Sequence, residues 1–246
     1  RISDYPSFHA AREALAPALS GAGGAYSYGE FSNAVDAAAR SLIARGLGKG
    51  DIVATLSPPR AEFFIFFLAA ARIGAVWLGL SPRATQRELA HILGDARPSL
   101  VTSVASIDGR NLRDEFNFLG VDPSRLAFFG GEGEEALAAF FGAGESVSAG
   151  EFHDRVKCVS GEDRALIVYT SGTTGAPKGA LLSHGGMVRS FLTQFRIAGV
   201  RNVRILNNLP INHIGSVGDV ASFALIGGGL IHFMDRFDPA GSLEAI

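Results

Sequence analysis

The clearest helical pattern in the sequence follows Ser27. Apolar residues recur there at helical spacing, at Phe31, Val35, Ala38, Leu42 and Ile43. Ser27 and Glu30 stand three positions apart at the start of this run, which is the capping-box arrangement of a helix N-terminus. Gly46 and Gly48 follow the run and favour a helix end. The pattern therefore predicts a helix that begins near Ser27 and ends before Gly46.

Short apolar runs alternate with further helical patterns along most of the chain. They predict strands at 51–56, 75–80, 99–104, 125–129, 164–169, 179–183, 203–207 and 229–233. Helices are predicted between them, at about 61–72, 85–93, 184–197 and 217–225. Thr85 and Glu88 form a second capping box at the start of one of these helices. Such alternation is typical of parallel βαβ units, so we expect an α/β fold with doubly wound, mostly parallel sheets and flanking helices.

Residues 63–80 form the most apolar stretch, and they are about numerous enough to span a membrane. Arg72 lies in the second half of this stretch and Gly74 follows two positions later. A charged residue and a glycine are better explained by the junction of two buried elements. We therefore expect a buried helix that leads into a buried strand, and no membrane span.

Composition narrows the function classes. The 246 residues are 47% hydrophobic and carry a formal net charge of −2, which allows a sizeable core but gives no basic excess for nucleic acid. Cys158 is the single cysteine, which excludes an internal disulfide framework and fits a reducing cytoplasm. We expect Cys158 to be a semi-buried small residue rather than a nucleophile. No pair of histidines has the spacing of metal ligands, so no metal site is expected.

A segment rich in glycine, alanine and glutamate, residues 130–150, interrupts the alternation. We expect a mobile connection here, with one short helix near 136–141 and with its acidic side chains in solvent. It would separate a first group of βα units, about 1–129, from a second part, about 151–246.

The most informative stretch is YTSGTTGAPKG, Tyr169–Gly179, which directly follows an apolar run. Its glycines, hydroxyl side chains and single lysine suit a loop whose backbone N–H groups face a phosphate. A Walker loop is excluded, because Pro177 replaces its second glycine and Gly179 replaces its magnesium-binding hydroxyl. The apolar residues that follow predict a strand, whereas a Walker loop opens into a helix. We expect a phosphate-binding strand–loop–strand element, with a plain polar turn as the alternative.

Tyr169–Gly179 resembles the signature of the adenylate-forming (AMP-binding) enzyme superfamily, which includes acyl-CoA synthetases, luciferases and peptide-synthetase adenylation domains. Supporting similarities extend over nearly the whole chain, at 26–31, 74–82, 181–187, 209–215 and 234–239. The resemblance implies the incomplete N-terminal domain of an acyl-CoA synthetase-like enzyme, with the C-terminal domain absent.

The resemblance also implies roles for individual residues. The ATP phosphates would be bound by Thr170, Ser171, Gly172, Thr173, Thr174, Gly175 and Lys178. His213, Ile214 and Gly215 would line the acyl-substrate pocket, next to a small, apolar wall that favours an aliphatic or aryl acyl group. Two positions depart from the family motif, because Asn212 is usually aromatic and the motif's glycine usually stands at the place of Ser216.

The other histidines and one acidic residue are expected to be structural. We expect His184 to cap or pack at a helix start, and His9, His91, His153 and His232 to make ordinary structural contacts. Asp219 is expected to face solvent from a helix, with a contact to a polar substrate as the alternative.

In the family that the chain resembles, a carboxylic acid and ATP form an acyl-adenylate, pyrophosphate leaves, and the acyl group passes to CoA. Magnesium would accompany ATP. The groups that hold adenine, ribose and magnesium, and the catalytic lysine, are expected beyond Ile246, so no catalytic residue is assigned and the 246-residue chain alone is expected to be inactive. Two alternatives remain open: an amino-acid-activating domain, and a non-catalytic module that binds a nucleotide or an acyl group.

Overall fold

The computed structural model describes residues 1–129, 139–170, 177–201 and 203–245. Its helices are α1 Tyr5–Glu13, α2 Tyr28–Ala44, α3 Ala61–Arg72, α4 Gln86–Ala96, α5 Leu112–Phe118, α6 Ala149–Lys157, α7 His184–Ala198, α8 Phe223–Ile226 and α9 Pro239–Ala245. Its strands are β1 Pro17–Gly21, β2 Tyr26–Ser27, β3 Ile52–Leu56, β4 Val76–Leu80, β5 Leu100–Val104, β6 Ser106–Ile107, β7 Arg110–Asn111, β8 Leu126–Phe129, β9 Arg164–Thr170, β10 Lys178–Ser183, β11 Arg204–Asn207 and β12 Leu230–Phe233. Gly215–Ser222, directly before α8, is a π-helix.

The strands of the described residues form two main sheets. The larger has the order β10-β9-β4-β3-β5-β8, and its strands run parallel except for β10, which is antiparallel to β9. The smaller has the order β11-β12-β1-β2, with β11, β12 and β1 parallel. Strands β6 and β7 pair as a short ribbon. Helices flank the sheets, so the expected α/β fold with mostly parallel sheets is confirmed.

Helix α3 supplies the core shared by the two sheets. It is apolar around almost its whole circumference and is buried from Ala61 to Ala71, as expected for a helix with protein on every side. The Phe63 ring lies 5.9 Å from the Trp77 ring of β4 and 5.4 Å from the Phe233 ring of β12, centroid to centroid. The apolar stretch 63–80 is therefore α3 followed by β4, and in the described part of the chain no helix is long and apolar enough to cross a membrane.

Both predicted capping boxes are present at the starts of α2 and α4. The Ser27 N–H donates to Glu30 Oε2 at 2.8 Å, and the Glu30 N–H donates to Ser27 Oγ at 3.3 Å. Thr85 and Glu88 make the same pair of bonds at 2.7 and 3.3 Å. These bonds satisfy backbone donors that have no partner within the helix, and they fix where each helix begins.

Cys158 is exposed, so the expectation that it is semi-buried is wrong; it follows the last residue of α6, where the helix ends at the surface. Of the expected connection, residues 130–138 lie outside the described residues, and 139–142 are helical. Ser41 Oγ donates to the Phe141 carbonyl at 3.0 Å, which fastens this region to α2. The division of the chain at the connection stays a prediction.

Candidate functional site

The expected phosphate-binding element begins and ends on adjacent strands. Strand β9 ends at Thr170, β10 begins at Lys178, and the antiparallel register places these two residues opposite each other. The Thr170 hydroxyl lies 3.5 Å from the Lys178 carbonyl, to which it donates. The two strands expected on either side of the loop are therefore confirmed. The other five expected phosphate ligands, Ser171, Gly172, Thr173, Thr174 and Gly175, lie outside the described residues.

The Lys178 side chain is available for an anion. It is exposed, and its ammonium makes no ion pair with the residues that the structure describes. A lysine on a strand carries its charge on a flexible stem, so the ammonium can follow a phosphate while the strand holds its backbone. Thr170 and Lys178 thus provide a hydroxyl and a positive charge at the same end of the hairpin.

His213 lies in a turn that directly follows β11. Its Nδ1 accepts a hydrogen bond from the Gly215 N–H at 3.0 Å. A ring nitrogen that accepts carries no proton, so in the neutral ring the proton is on Nε2, which remains available as a donor. The His213 side chain is exposed, Ile214 is half-buried and Gly215 is buried, so the three expected pocket residues form one turn with its polar group outward.

Asn207, which the sequence reading missed, holds both ends of this turn. It is fully buried at the end of β11, and its Nδ2 donates to the Ser216 carbonyl at 3.0 Å. Its Oδ1 accepts from Ser216 Oγ at 3.2 Å and from the Leu209 N–H at 3.3 Å. Ser216, at the place where the family motif has glycine, is therefore a buried partner of Asn207. The available signal was an amide side chain at the end of an apolar strand.

The turn lies directly on β4, the neighbour of β9. A Cβ atom added to Gly79 would be 2.6 Å from the Ile211 carbonyl oxygen and 2.9 Å from Asn212 Cα, so only glycine permits this approach. Asn212 Oδ1 is buried without a hydrogen-bond partner among the described residues. Because β4 pairs with β9 in parallel, the His213 turn and Thr170 lie at the carboxyl ends of adjacent strands.

A cleft of about 350 Å³ opens beside the turn, between the ends of the two sheets. Its lining includes Pro58 after β3, Ser81 after β4, Asn208 and Pro210 after β11, and Asp235 after β12. Crevices at the carboxyl ends of parallel strands are where open α/β folds bind their ligands. Of the residues that the structure describes, Thr170, Lys178 and the His213 turn lie at this carboxyl edge of the larger sheet.

Other polar residues singled out by the sequence have structural explanations. His184 begins α7 and is fully buried, while the cap itself is made by Ser183, whose Oγ accepts from the Gly186 N–H at 3.2 Å. Burial lowers the pKa of His184 to about 4, so its ring is neutral at pH 7. Asp219 is exposed, as expected for a solvent-facing position. In the described part of the chain, no three His, Cys, Asp or Glu side chains cluster as metal ligands would.

Comparison with known proteins gives information on the family of this chain. Residues 7–246 match the sequence model of the AMP-binding enzyme family. The chain is 31% identical over 231 residues to 4-coumarate–CoA ligase 3 of Oryza sativa subsp. japonica, covering 91% of this chain and 40% of the relative. It is 29% identical over 256 residues to a feruloyl-CoA synthase of Amycolatopsis sp, covering 100% of this chain and 46% of the relative.

A solved structure has the same fold over nearly the whole of this chain. The crystal structure of ATP-bound MatB from Rhodopseudomonas palustris superposes with a TM-score of 0.82 at 28% identity, covering 98% of this chain and 47% of that chain. The chain therefore spans less than half the length of these relatives.

Proposed function

We propose that this chain, which belongs to the AMP-binding enzyme family, is the N-terminal part of an acyl-CoA synthetase. The observation that carries the proposal is that Thr170 of the signature hairpin and the His213 turn lie at the carboxyl ends of the adjacent strands β9 and β4. Relatives named as CoA ligases and an ATP-bound structural neighbour support it. The reaction would convert a carboxylic acid, ATP and CoA into acyl-CoA, AMP and pyrophosphate.

The first step is adenylate formation. A carboxylate oxygen of the acid attacks the α-phosphorus of ATP, the bond from that phosphorus to the bridging oxygen breaks, and pyrophosphate leaves with the electron pair. The Lys178 ammonium and the Thr170 hydroxyl, with the five loop residues Ser171, Gly172, Thr173, Thr174 and Gly175, would hold the β- and γ-phosphates and stabilise the departing charge. Magnesium is expected to accompany ATP.

The acid would lie against the His213 turn. The protonated Nε2 of His213 can donate to a carboxylate, while Ile214, Gly215 and the small, apolar residues that follow would contact the acyl group. Two of the relatives are named for the aryl acids 4-coumarate and ferulate, which fits the expected aliphatic or aryl substrate class. In the second step the CoA thiol loses its proton and attacks the acyl carbon, and AMP leaves.

Pyrophosphate release tests the proposal. We would compare the 246-residue chain with the full-length natural protein that contains it, using ATP and a panel of aryl, aliphatic and amino acids with and without CoA. We expect the full-length protein to release pyrophosphate with aryl or aliphatic acids and the chain alone to release none. Turnover restricted to amino acids would favour an amino-acid-activating domain, and ATP binding without turnover would favour a non-catalytic module.

A further inference from the structure

The hairpin that carries Thr170 and Lys178 lies at the edge of the larger sheet. In the described residues β10 is its outermost strand, pairs with β9 alone, and is exposed from Lys178 to Leu181. An edge strand is held by its neighbour on one side only, so its end moves easily unless another element supports it. Helix α4 supplies that support from outside the sheet.

The first contact runs from Tyr169 to the helix. Tyr169 pairs with Gly179 across the hairpin, and a Cβ added to Gly179 would be 3.3 Å from Tyr169 Cζ, so the glycine leaves room for the ring. The tyrosine hydroxyl donates to Asp95 Oδ2 at 2.5 Å. Burial and the neighbouring Asp95 carboxylate raise the pKa of Tyr169, which keeps the hydroxyl protonated as a donor.

The second contact comes from His91, one turn earlier on the same face of α4. Its Nε2 lies 3.1 Å from the Pro177 carbonyl oxygen, which accepts the hydrogen bond. Tyr169 immediately precedes Thr170, and Pro177 immediately precedes Lys178. Asp95 therefore holds Tyr169, next to Thr170, and His91 holds Pro177, next to Lys178. One helix thus contacts the hairpin beside an expected phosphate ligand at each of its two strands.

The helix is a firm platform for these contacts. Its N-terminus is fixed by the Thr85 and Glu88 capping box, and Leu89 is fully buried beneath it. Asp95 lies in the last turn, where a negative charge opposes the helix dipole. Helix stability therefore does not explain an aspartate at this position, whereas the bond to Tyr169 does.

We propose that His91 and Asp95 are positioning residues that hold the base of the phosphate-binding hairpin through Pro177 and Tyr169. The clamp, defined as these four residues, fixes the separation of Thr170 and Lys178 before ATP binds. A ligand then finds its partners already ordered and loses less free energy in arranging them. This role rests on the proposed function of the hairpin.

Steady-state kinetics of the full-length protein test the clamp. Asp95→Ala and His91→Leu each remove one bond, and we expect each to raise the KM for ATP about three- to tenfold, the effect of one lost hydrogen bond. The KM for the carboxylic acid should stay unchanged, because among the described residues no hydrogen bond or ion pair joins α4 to the His213 turn. Asp95→Asn and His91→Gln keep an acceptor and a donor respectively, so they should restore the KM for ATP nearly to the wild-type value.

A matched control and a double variant separate positioning from general structure. Asp154→Ala removes an exposed aspartate from the last turn of α6, which is away from the hairpin, and should leave the KM for ATP unchanged. Tyr169→Phe keeps the ring over Gly179 but loses the donor. The combination of Tyr169→Phe with Asp95→Ala should be no worse than either change alone, because both remove the same bond.

Hydrogen exchange on the 246-residue chain gives a readout that does not depend on catalysis. Amides of β9 and β10 should exchange faster in Asp95→Ala than in Asp154→Ala. An unchanged KM for ATP in an active Asp95→Ala enzyme, additive losses in the double variant, or unchanged exchange in the hairpin would each overturn the clamp. Absence of ATP-dependent pyrophosphate release by the wild-type enzyme, with exchange still accelerated in Asp95→Ala, would overturn the proposed function and leave the clamp standing as a structural support.

Discussion

At the scale of single residues, Gly79 is where the His213 turn lies directly on β4. In Gly79→Ala the new methyl group would lie 2.6 Å from the Ile211 carbonyl oxygen, closer than real contacts allow, and backbone cannot rotate away as a side chain can. We expect a loss of about 1–3 kcal/mol in the free energy of unfolding, measured by urea denaturation. Gly94→Ala, in α4 with open space around the added atom, should instead be neutral or stabilising by up to about 1 kcal/mol. Equal effects of the two substitutions would contradict the close approach.

His184 gives the protein a pH dependence with a defined sign. Burial, with positive charge at Arg1 and the amino terminus, lowers the pKa of folded His184 from 6.5 to about 4. Between these values the unfolded chain binds a proton that the folded chain does not, so the unfolding free energy falls as the pH is lowered through this window. We expect a loss on the order of 2 kcal/mol between pH 7 and pH 5 from this group.

Urea denaturation at pH 7 and pH 5 checks the His184 prediction. His184→Leu fills a similar volume and strands no hydrogen-bond partner, since neither ring nitrogen has one in the described residues. The variant should lose clearly less stability between the two pH values than the wild type. The same loss in both proteins would assign the pH dependence to other groups.

At the scale of elements, the turn between β11 and the π-helix depends on Asn207. Asn207→Ala removes three hydrogen bonds, two to the buried Ser216 and one to Leu209. Because Ser216 stays buried without these two bonds, we expect a loss of about 1–3 kcal/mol in unfolding free energy. Because the turn carries His213, the KM for the acid should rise more than the KM for ATP in the full-length enzyme. Asn117→Ala, at an exposed position of α5, is the matched control and should change neither the unfolding free energy nor the two KM values. A selective rise in the KM for ATP would show that the turn serves another part of the site.

The elements also show what the sequence can predict. Helix α3 has the predicted bounds, Ala61–Arg72, because its start, its apolar run and its end are all local signals. Strand β1 was not predicted, because its partner β12 lies near the other end of the chain and Pro17–Gly21 shows no alternation of its own. The predicted helix at 217–225 is π-helical up to Ser222, whose Oγ donates to the Val217 carbonyl five residues earlier. A widened turn of this kind has no periodic signature, and π-helical turns are frequent at functional sites.

At the scale of the whole molecule, the candidate site too can be predicted only where the sequence signal is local. Thr170, Lys178 and His213 were predicted because a contiguous motif surrounds each of them. Gly79 lies inside the family-like stretch 74–82, but neither its role nor that of Asn207 was predicted, since both roles arise only when β4 and the end of β11 are brought together. Motifs therefore predict the residues offered to a ligand, and the fold reveals the residues that hold them in place.

Arg60, Glu62 and Asp235 form an ion-pair joint between the two sheets, and this joint gives a prediction for the whole fold. Arg60 precedes α3 and bonds to the buried Glu62 at 3.2 Å and to Asp235, after β12, at 3.1 Å. Arg60→Ala would leave the Glu62 carboxylate buried beside Gly23 without its counter-charge and would remove the bridge to the smaller sheet. We expect a loss of roughly 1–3 kcal/mol, because Arg60 itself is partly exposed and water screens part of the pair.

Two probes of urea unfolding test whether this joint makes the sheets one cooperative unit. Trp77 fluorescence reports on β4 in the larger sheet, and far-ultraviolet circular dichroism reports on the whole chain. In the wild type the two transitions should coincide, and in Arg60→Ala both should move to lower urea together, because α3 still packs against both sheets. Separate transitions in Arg60→Ala would show that the ion pairs of Arg60 are needed for the sheets to unfold as one unit. Arg155→Ala, which breaks the exposed pair of Arg155 and Glu151, should lower the free energy of unfolding by less than about 0.5 kcal/mol. A shift in Arg60→Ala no larger than in Arg155→Ala would show that the aromatic contacts of Phe63, rather than the ion pairs, join the two sheets.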